Sequence, residues 1–439
     1  MNLVCDAETG LAVRFQSFFN PQESAKLSHV NPNAEPIDGD SIQYASAEQN
    51  AVLTPLRVIV GLAMGPAVAL GLARFAYALL LPAMRADLGW SFAAAGAMNT
   101  ANAAGYLVGA LVAAPLGRRM GDKPIFVVSL LLTALAIGAT GLTTGFSSLL
   151  LLRLAAGFTG AVTFVSGAGL AAVAAAGGPA SRAPTLLGLY IAGAGIGVTA
   201  SALVVPSSLD TIGWRGGWIV LGALALVAAT FGSMALRRSP EPSSAADNTA
   251  QGGWSPRVMT FKLLAYGLFG AGYIAYATFI VAYLRSDEGF SGADITWFWS
   301  ILGMASVAAA FAWGPILGRL HGGLGTATTI GVVTVGAAVP LLWDGPAGAY
   351  LSAFLFGGSF LAVVSAVTLF ARRVFLPHAW TAAIAGLTVA FGLGQCIGPV
   401  LSGALSDGPN GLRSGLWLSV GILAVATFVA MFQPEPAEQ

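Results

Sequence analysis

Two arginines lie inside long apolar stretches of the sequence, where a charged side chain is costly. Arg74 follows Gly71-Leu-Ala, and Arg153 follows four consecutive leucines. A charge at membrane depth costs about 2.5–3.5 kcal/mol on insertion scales, so it is retained where it finds partners or water. Because a guanidinium can bind a carboxylate through two parallel hydrogen bonds, we expect Arg74 to bind an anionic solute group. The alternatives are a structural bond to helix carbonyls or, especially for Arg153, extension of the side chain to the outer interface.

Neutral polar and aromatic residues recur in neighbouring apolar segments. Asn99, Asn102 and Tyr106 have the spacing i, i+3, i+7, which places them on one face of a helix. A later segment carries Tyr266, Phe269, Tyr273, Tyr276 and Tyr283 on one broad face. Hydrogen bonding and packing between helices is the alternative explanation for all of these residues. The residues predicted to bind substrate are Arg74, Tyr77, Asn99, Asn102, Tyr106, Arg153, Tyr273, Tyr276 and Gln395.

The sequence contains no pattern for catalysis or for holding a cofactor. Three scattered histidines and the distant Cys5 and Cys396 give no metal-binding spacing, and no Gly-rich phosphate loop ends in Lys-Ser/Thr. The net charge of +1 gives no basic field for nucleic acid. We therefore predict no catalytic residues, no metal, no cofactor and no enzymatic activity. No Asp or Glu lies in the middle of an apolar segment, so Asp407 or an anionic solute is left as a proton carrier.

The elements that hold these residues follow from composition. Hydrophobic residues make up 56% of the 439 residues and charged residues 9%, against about 25% charged in soluble domains. Apolar runs near the 20 residues needed to cross a bilayer recur along the chain, and backbone in lipid must be helical. We predict an all-α integral membrane protein with twelve transmembrane helices near 58–82, 92–114, 125–145, 148–174, 185–206, 216–236, 260–284, 296–317, 327–343, 348–371, 379–404 and 411–432.

Basic residues in the connections predict the orientation. Fourteen of the 20 Lys and Arg residues fall on the side of both termini and four on the other, which predicts cytoplasmic termini. The longest polar connection after the N-terminal tail separates six helices from six. The predicted organisation is a disordered cytoplasmic tail, an N-terminal six-helix bundle, a cytoplasmic linker, a C-terminal six-helix bundle and a cytoplasmic tail at 1–55, 56–238, 239–257, 258–432 and 433–439.

Two short repeats support this division. Pro115-Leu-Gly-Arg-Arg119 corresponds to Pro315-Ile-Leu-Gly-Arg319 at an offset of 200, and Gly193-x-x-x-Gly197 corresponds to Gly394-x-x-x-Gly398 at an offset of 201. Two agreeing offsets indicate tandem, pseudo-symmetric halves. Parallel repeats of this kind rock around a central site, so the repeat predicts alternating access.

The stretch from Gly71-Leu-Ala-Arg74-Phe-Ala-Tyr77 to Asn99-Thr-Ala-Asn102 resembles the bacterial YbfB/YjiJ-like branch of the major facilitator superfamily, over roughly residues 56–432. The superfamily's loop motif is matched at Arg119, Gly121 and Lys123, and its fourth-helix motif at Arg153 and Gly157. An antiporter-associated pattern is nearly complete, with Ser402 as a substitution. The resemblance implies proton-driven movement of a small solute. The residues expected to act in gating or packing are Arg119, Gly121, Arg319, Gly394, Gly398, Pro399, Gly403 and Asp407.

The predicted function is secondary active transport of a small organic solute, in particular an organic anion, by a proton-coupled monomer in the bacterial inner membrane. Broad efflux of amphipathic compounds is the alternative that the tyrosine face and the antiporter-like pattern favour. A membrane enzyme would need a convergent catalytic cluster, and a non-transporting receptor would need a signalling domain larger than the 55-residue tail.

Overall fold

A computed structural model describes residues 55–237, 255–376 and 379–434, and within these ranges the regular structure is entirely helical. Nearly all of the predicted N-terminal tail, most of the predicted linker and residues 435–439 of the predicted C-terminal tail lie outside the described residues. All the elements that hold the predicted solute site lie within them.

Eleven continuous helices in the described part of the chain are long and apolar enough to cross a membrane. The fifth, Ala183–Leu236, has 54 residues and leaves helical geometry at Gly213, where φ is 67°. At about 1.5 Å per residue it is more than twice as long as a bilayer core is thick, so it supplies two spans, α5 (183–212) and α6 (214–236). The other spans are α1 Pro55–Leu88, α2 Phe92–Met120, α3 Asp122–Thr140, α4 Phe146–Ala176, α7 Thr260–Ser286, α8 Gly292–Arg319, α9 Leu324–Leu342, α10 Pro346–Val374, α11 Trp380–Ser406 and α12 Gly411–Met431.

The N-terminal six helices pack through glycines that allow backbones to meet. A Cβ added to Gly193 on α5 would lie 2.1 Å from the carbonyl oxygen of Ala63 on α1. One added to Gly197 would lie 2.2 Å from the carbonyl oxygen of Ala67. Such distances leave no room for a side chain, so α1 and α5 cross in backbone contact.

The C-terminal six helices repeat this crossing between α7 and α11. A Cβ on Gly394 would lie 1.9 Å from the carbonyl oxygen of Gly267, and one on Gly398 would lie 2.1 Å from that of Ala271. The glycine pairs that the sequence repeat matched therefore make equivalent contacts. The predicted fold of twelve spans in two pseudo-symmetric bundles is confirmed.

The two halves meet through α1 with α7, α2 with α11 and α5 with α8. We call the side on which α1 begins and α12 ends the terminal side. On the opposite side, α2 and α11 are in backbone contact, since a Cβ on Gly96 would lie 2.3 Å from the carbonyl oxygen of Pro399. Asp407, at the end of α11, accepts hydrogen bonds from the backbone N–H groups of Phe92 and Ala93 at 2.7 and 3.0 Å. The halves are thus joined on the side opposite the termini.

Candidate functional site

A cavity of about 270 Å³ lies between the two halves. Its lining includes residues at the midpoints of α2, α7 and α10, namely Tyr106, Tyr273 and Phe360. Other lining residues, such as Ala110 and Thr388, lie further toward the terminal side. The cavity therefore extends from the middle of the bundle toward the terminal side. The described residues that line it are Leu70, Arg74, Phe75, Tyr106, Ala110, Phe164, Val165, Ile191, Tyr266, Phe269, Tyr273, Phe360, Leu361, Val364, Ser365, Ile384, Thr388 and Phe391.

Arg74 is the one charged residue of this lining. It lies in a nine-residue π-helical stretch of α1, Ala67–Phe75, and its side chain is 3% exposed. One terminal nitrogen donates to Oε1 of Gln395, while the buried Nε has no hydrogen-bond partner among the described residues. The guanidinium carbon lies 4.9 Å from the centroid of the Tyr106 ring. A guanidinium has five N–H donors, so this one retains capacity for an acceptor from the cavity.

Gln395 connects Arg74 to the other half of the protein. Its amide oxygen accepts from Arg74, and its Nε2 donates to the hydroxyl of Tyr273 at 2.8 Å. Gln395 is itself fully buried and does not line the cavity. It therefore positions Arg74 and Tyr273, which do line it.

One wall of the cavity is formed by aromatic rings of the C-terminal half. Tyr266 and Phe391 have ring centroids 4.6 Å apart with planes at 10°, and Phe269 and Tyr273 have centroids 4.9 Å apart at 16°. Phe360 continues the set, 6.2 Å from Tyr273 at 15°. We call these five residues the aromatic wall. Offset, nearly parallel stacking is a favourable arrangement for aromatic groups, and it fixes these rings as a rigid apolar wall.

Arg153 lies within the N-terminal half and does not line the cavity. Its guanidinium donates to the backbone carbonyl of Ala73 and, at 3.3 Å, to Oδ1 of Asn99. It also lies against the rings of Tyr77 and Trp218, 4.8 and 5.4 Å from their centroids. Being 2% exposed, it does not extend to the outer interface, so that alternative was wrong. Bonding to backbone carbonyls, the structural alternative, describes Arg153 well.

The polar face of α2 divides between the cavity and the helix contacts. Tyr106 lines the cavity. Asn99 donates to the hydroxyl of Thr278 on α7 at 2.6 Å, and Asn102 donates to the carbonyl of Arg153 at 3.1 Å. The two asparagines thus make the interhelical hydrogen bonds that were the alternative to solute contact.

Tyr77 and Tyr276 also point away from the cavity. The Tyr77 hydroxyl donates to the carbonyl of Ala95 at 2.7 Å, and Tyr276 shares a hydrogen bond with Ser352 on α10. Both side chains are fully buried. Among the nine residues predicted to bind solute, the structure therefore brings Arg74, Tyr106 and Tyr273 to the cavity.

The residues predicted to act in gating or packing occupy two places. Arg119 and Arg319 are exposed near the ends of α2 and α8 on the terminal side, and Gly121 (φ 86°) joins α2 to α3. The others, Gly394, Gly398, Pro399, Gly403 and Asp407, lie at the contacts of α11 with α7 and α2. Their gating roles stay predictions.

Sequence reasoning missed several lining residues. Thr388 and Phe391 precede Gln395 by seven and four residues, so helical periodicity around Gln395 could have indicated them. Phe75 and Phe164 gave no such signal, because the sequence alone does not distinguish them from the other phenylalanines among its 24. Within the described residues, no group of His, Cys, Asp and Glu could hold a metal ion.

Comparison with known proteins places these features in a family. A family model described as "Uncharacterised MFS-type transporter YbfB" matches residues 66–431. A "Chloramphenicol resistance protein" of Streptomyces lividans is 28% identical over 381 residues, covering 82% of this chain and 92% of that protein. The crystal structure of the nucleoside transporter NupG is similar with a TM-score of 0.66 at 16% identity, covering 86% of this chain and 98% of that one. A bacterial homologue of the human lysosomal transporter Spinster, in an inward-facing and occupied conformation, is similar with a TM-score of 0.64 at 15% identity, covering 89% and 99%. Both structural likenesses concern the fold alone.

Proposed function

Because this chain belongs to the YbfB family of major facilitator transporters, we propose that it moves a small organic anion across the membrane by alternating access, with the cavity at Arg74 as the solute site. The observation that carries the proposal is the position of Arg74: among the described residues it is the one charged group of the cavity lining, it is buried, and its hydrogen-bonded partner is the neutral amide of Gln395. A carboxylate supplies both the charge and the acceptors that this group lacks.

The charge of the lining favours an anion over a cation. None of the described residues that line the cavity is acidic, so a cationic solute would meet Arg74 without a compensating group there. Tyr106 and Tyr273 can add neutral hydrogen bonds beside the guanidinium. The solute that complements this site is a small monoanion with an apolar body.

Orientation and coupling follow from the same features. The excess of basic residues on the terminal side supports cytoplasmic termini in the inner membrane, so the cavity faces the cytoplasm in this conformation.

Asp407 lies on the opposite side, bonded to backbone N–H groups, rather than at the cavity. A solute that binds Arg74 as a carboxylate cannot hold the transported proton on that group, so the proposed coupling is cotransport of a separate proton, to be measured as proton flux alongside carboxylate flux in liposomes. One chain supplies both halves of the cavity, which supports a monomer as the working unit.

A deletion of the guanidinium tests the anion site. Arg74→Gln should weaken binding of benzoate and of cyclohexanecarboxylate at least about tenfold, because hydrogen bonds to charged groups contribute about 1.5–3 kcal/mol. Arg74→Lys should also lose affinity, since an ammonium lacks the planar fork. The measurement is isothermal titration calorimetry on purified, folded protein, followed by flux in liposomes.

Arg153→Gln is the matched control, because it removes a second buried guanidinium that does not line the cavity. We expect it to lower thermal stability while the folded fraction binds carboxylates normally. Equal carboxylate affinity in the native chain, Arg74→Lys and Arg74→Gln would eliminate the anion site.

Export of amphipathic compounds is a second candidate, favoured by the relative named for chloramphenicol resistance and by the apolar lining. Expression of this chain in a drug-sensitised bacterium should then raise the inhibitory concentration of chloramphenicol, and Arg74→Gln should not abolish that effect. Unchanged susceptibility with measurable carboxylate flux would leave the anion transporter as the function.

A further inference from the structure

We propose that the solute is an aromatic carboxylate, with its carboxylate on Arg74 and its ring against the aromatic wall. This inference rests on the function proposed above and adds the chemical class of the solute. It is carried by the division of the cavity between the two halves, which present different chemistry to the same space.

The N-terminal half supplies the charge. Arg74 comes from α1, and Tyr106 from α2 lies beneath its guanidinium, 4.9 Å from ring centroid to carbon. Arg74 lines the cavity, whereas its partner Gln395 is fully buried and does not, so the guanidinium is the group that a solute in the cavity meets. One end of the bound solute is therefore held by a fixed, buried cation.

The C-terminal half supplies the ring surface. Tyr266, Phe269 and Tyr273 of α7 lie within 16° of parallel with Phe391 of α11, at centroid separations of 4.6 to 5.8 Å. Such stacked rings present edges to the cavity, and the face of an aromatic solute can meet a ring edge in the favoured edge-to-face arrangement, which adds affinity beyond the area buried and is denied to a saturated ring. A solute that touches both halves also links them, which is what a carrier of this architecture requires.

The volume limits the size of the solute. A cavity of about 270 Å³ corresponds to roughly nine waters at about 30 Å³ each. Benzoate, a ring with one carboxylate, occupies a space of this order, whereas large amphipathic compounds exceed it in this conformation.

The test compares probes that separate charge from aromaticity. Benzoate and cyclohexanecarboxylate have the same charge and similar size, but only benzoate has a planar ring, and benzyl alcohol has the ring without the charge. Titration calorimetry on the purified full chain should give benzoate a Kd roughly two- to tenfold lower than cyclohexanecarboxylate. Benzyl alcohol should bind more weakly than both.

The outcomes separate this inference from the function on which it rests. Equal affinity for the two carboxylates would overturn the aromatic class and leave the anion site intact. Failure of both carboxylates to bind would overturn the anion site and the inference together. Tighter binding of benzyl alcohol than of benzoate would likewise overturn both.

Variants of the wall provide a second measurement. Phe391→Leu and Phe269→Leu each remove one ring while keeping an apolar side chain. The ratio of the Kd of cyclohexanecarboxylate to the Kd of benzoate should therefore fall toward one, while cyclohexanecarboxylate still binds. Phe298→Leu is the matched control, because Phe298 is a buried ring of α8 that does not line the cavity. Thermal denaturation shows whether each wall variant is folded, and if one is not, the other supplies the measurement. An unchanged preference in a folded wall variant would contradict the aromatic-carboxylate class.

Discussion

At the scale of single residues, Arg74 and Arg153 show how the same side chain acquires different roles. The donors of Arg153 are directed to the Ala73 carbonyl and to Asn99, so this guanidinium ties α4 to α1 and α2. Arg74 has Gln395 as its hydrogen-bonded partner and lines the cavity. Both lie in apolar runs of the sequence, and their local spacing does not distinguish them. Each keeps a buried Nε without a hydrogen-bond partner among the described residues, so what differs is the tertiary environment: Arg74 lines the cavity, whereas Arg153 is enclosed by α1, α2 and the rings of Tyr77 and Trp218.

Gln395→Glu should abolish carboxylate binding without unfolding the protein. The new carboxylate would lie within hydrogen-bond distance of Arg74 and could still accept from the Tyr273 hydroxyl, so an internal ion pair would replace the solute. Calorimetric titration with benzoate should show at least a tenfold loss of affinity, whereas the thermal midpoint should not fall. Gln395→Met removes both hydrogen bonds without adding a charge, so it measures the loss of positioning alone and should lose less affinity than Gln395→Glu. Native benzoate affinity in Gln395→Glu would mean that Arg74 is not the anion ligand.

At the scale of elements, the unexpected feature is the π-helical stretch Ala67–Phe75 of α1. The backbone N–H of Ala76 donates to the carbonyl of Gly71, five residues earlier, at 3.0 Å. A Cβ on Gly71 would lie 2.4 Å from the backbone of Gly197, so α5 is in direct contact with this stretch. Stretches of π-helix frequently occur at functional sites, and here the wider turn ends at the residues that contribute Arg74 and Phe75 to the cavity.

Gly398→Ala should destabilise the protein, because the added Cβ would lie 2.1 Å from a backbone oxygen of α7 that cannot rotate away. Overpacking of this kind costs about 1–3 kcal/mol, and separation of α11 from α7 would also displace Gln395 and Phe391. Thermal unfolding and liposome flux should both be reduced. Gly421→Ala on α12 is the matched control, since no atom lies within 4 Å of its added Cβ. Equal stability of the two variants would contradict the close α7–α11 crossing.

Much of the element scale could be predicted from the sequence. Apolar runs indicated the spans, and the repeated Gly-x-x-x-Gly pairs indicated the equivalent crossings, because both depend on local composition. The sequence predicts a loop at residues 207–215 between α5 and α6, but in the structure these residues are helical except at Gly213. The hydroxyls of Ser207, Ser208 and Thr211 donate to helix carbonyls there, at 2.8 to 3.0 Å, which satisfies these polar side chains within a helix. The π stretch and the division of polar residues between cavity and interface depend on neighbouring helices, which no local pattern records.

At the scale of the whole molecule, the two halves are in contact on the side opposite the termini, and the cavity extends between them toward the terminal side. The halves meet both where α5 packs on α8 and where α2 packs on α11, and at the second contact the Thr100 hydroxyl donates to the Cys396 carbonyl at 2.7 Å. The Asp407 carboxylate lies beyond these contacts, nearest the surface. Alternating access requires this side to open, so bonds to Asp407 must break during the cycle.

Asp407→Ala should therefore shift the population toward a conformation open on the side opposite the termini. The variant loses both hydrogen bonds to the first turn of α2, and each 1.4 kcal/mol removed changes the ratio of two states about tenfold. Spin labels at Ala86→Cys and Asn410→Cys, in a background in which both native cysteines are serine, would report the separation of the halves in nanodiscs. We expect an added population at longer distance, smaller in Asp407→Asn, which keeps one acceptor. Asp344→Ala removes an exposed acid from the α9–α10 connection on the same side and should leave the distances unchanged. Identical distance distributions in the native chain and Asp407→Ala would show that this carboxylate does not hold the two halves together.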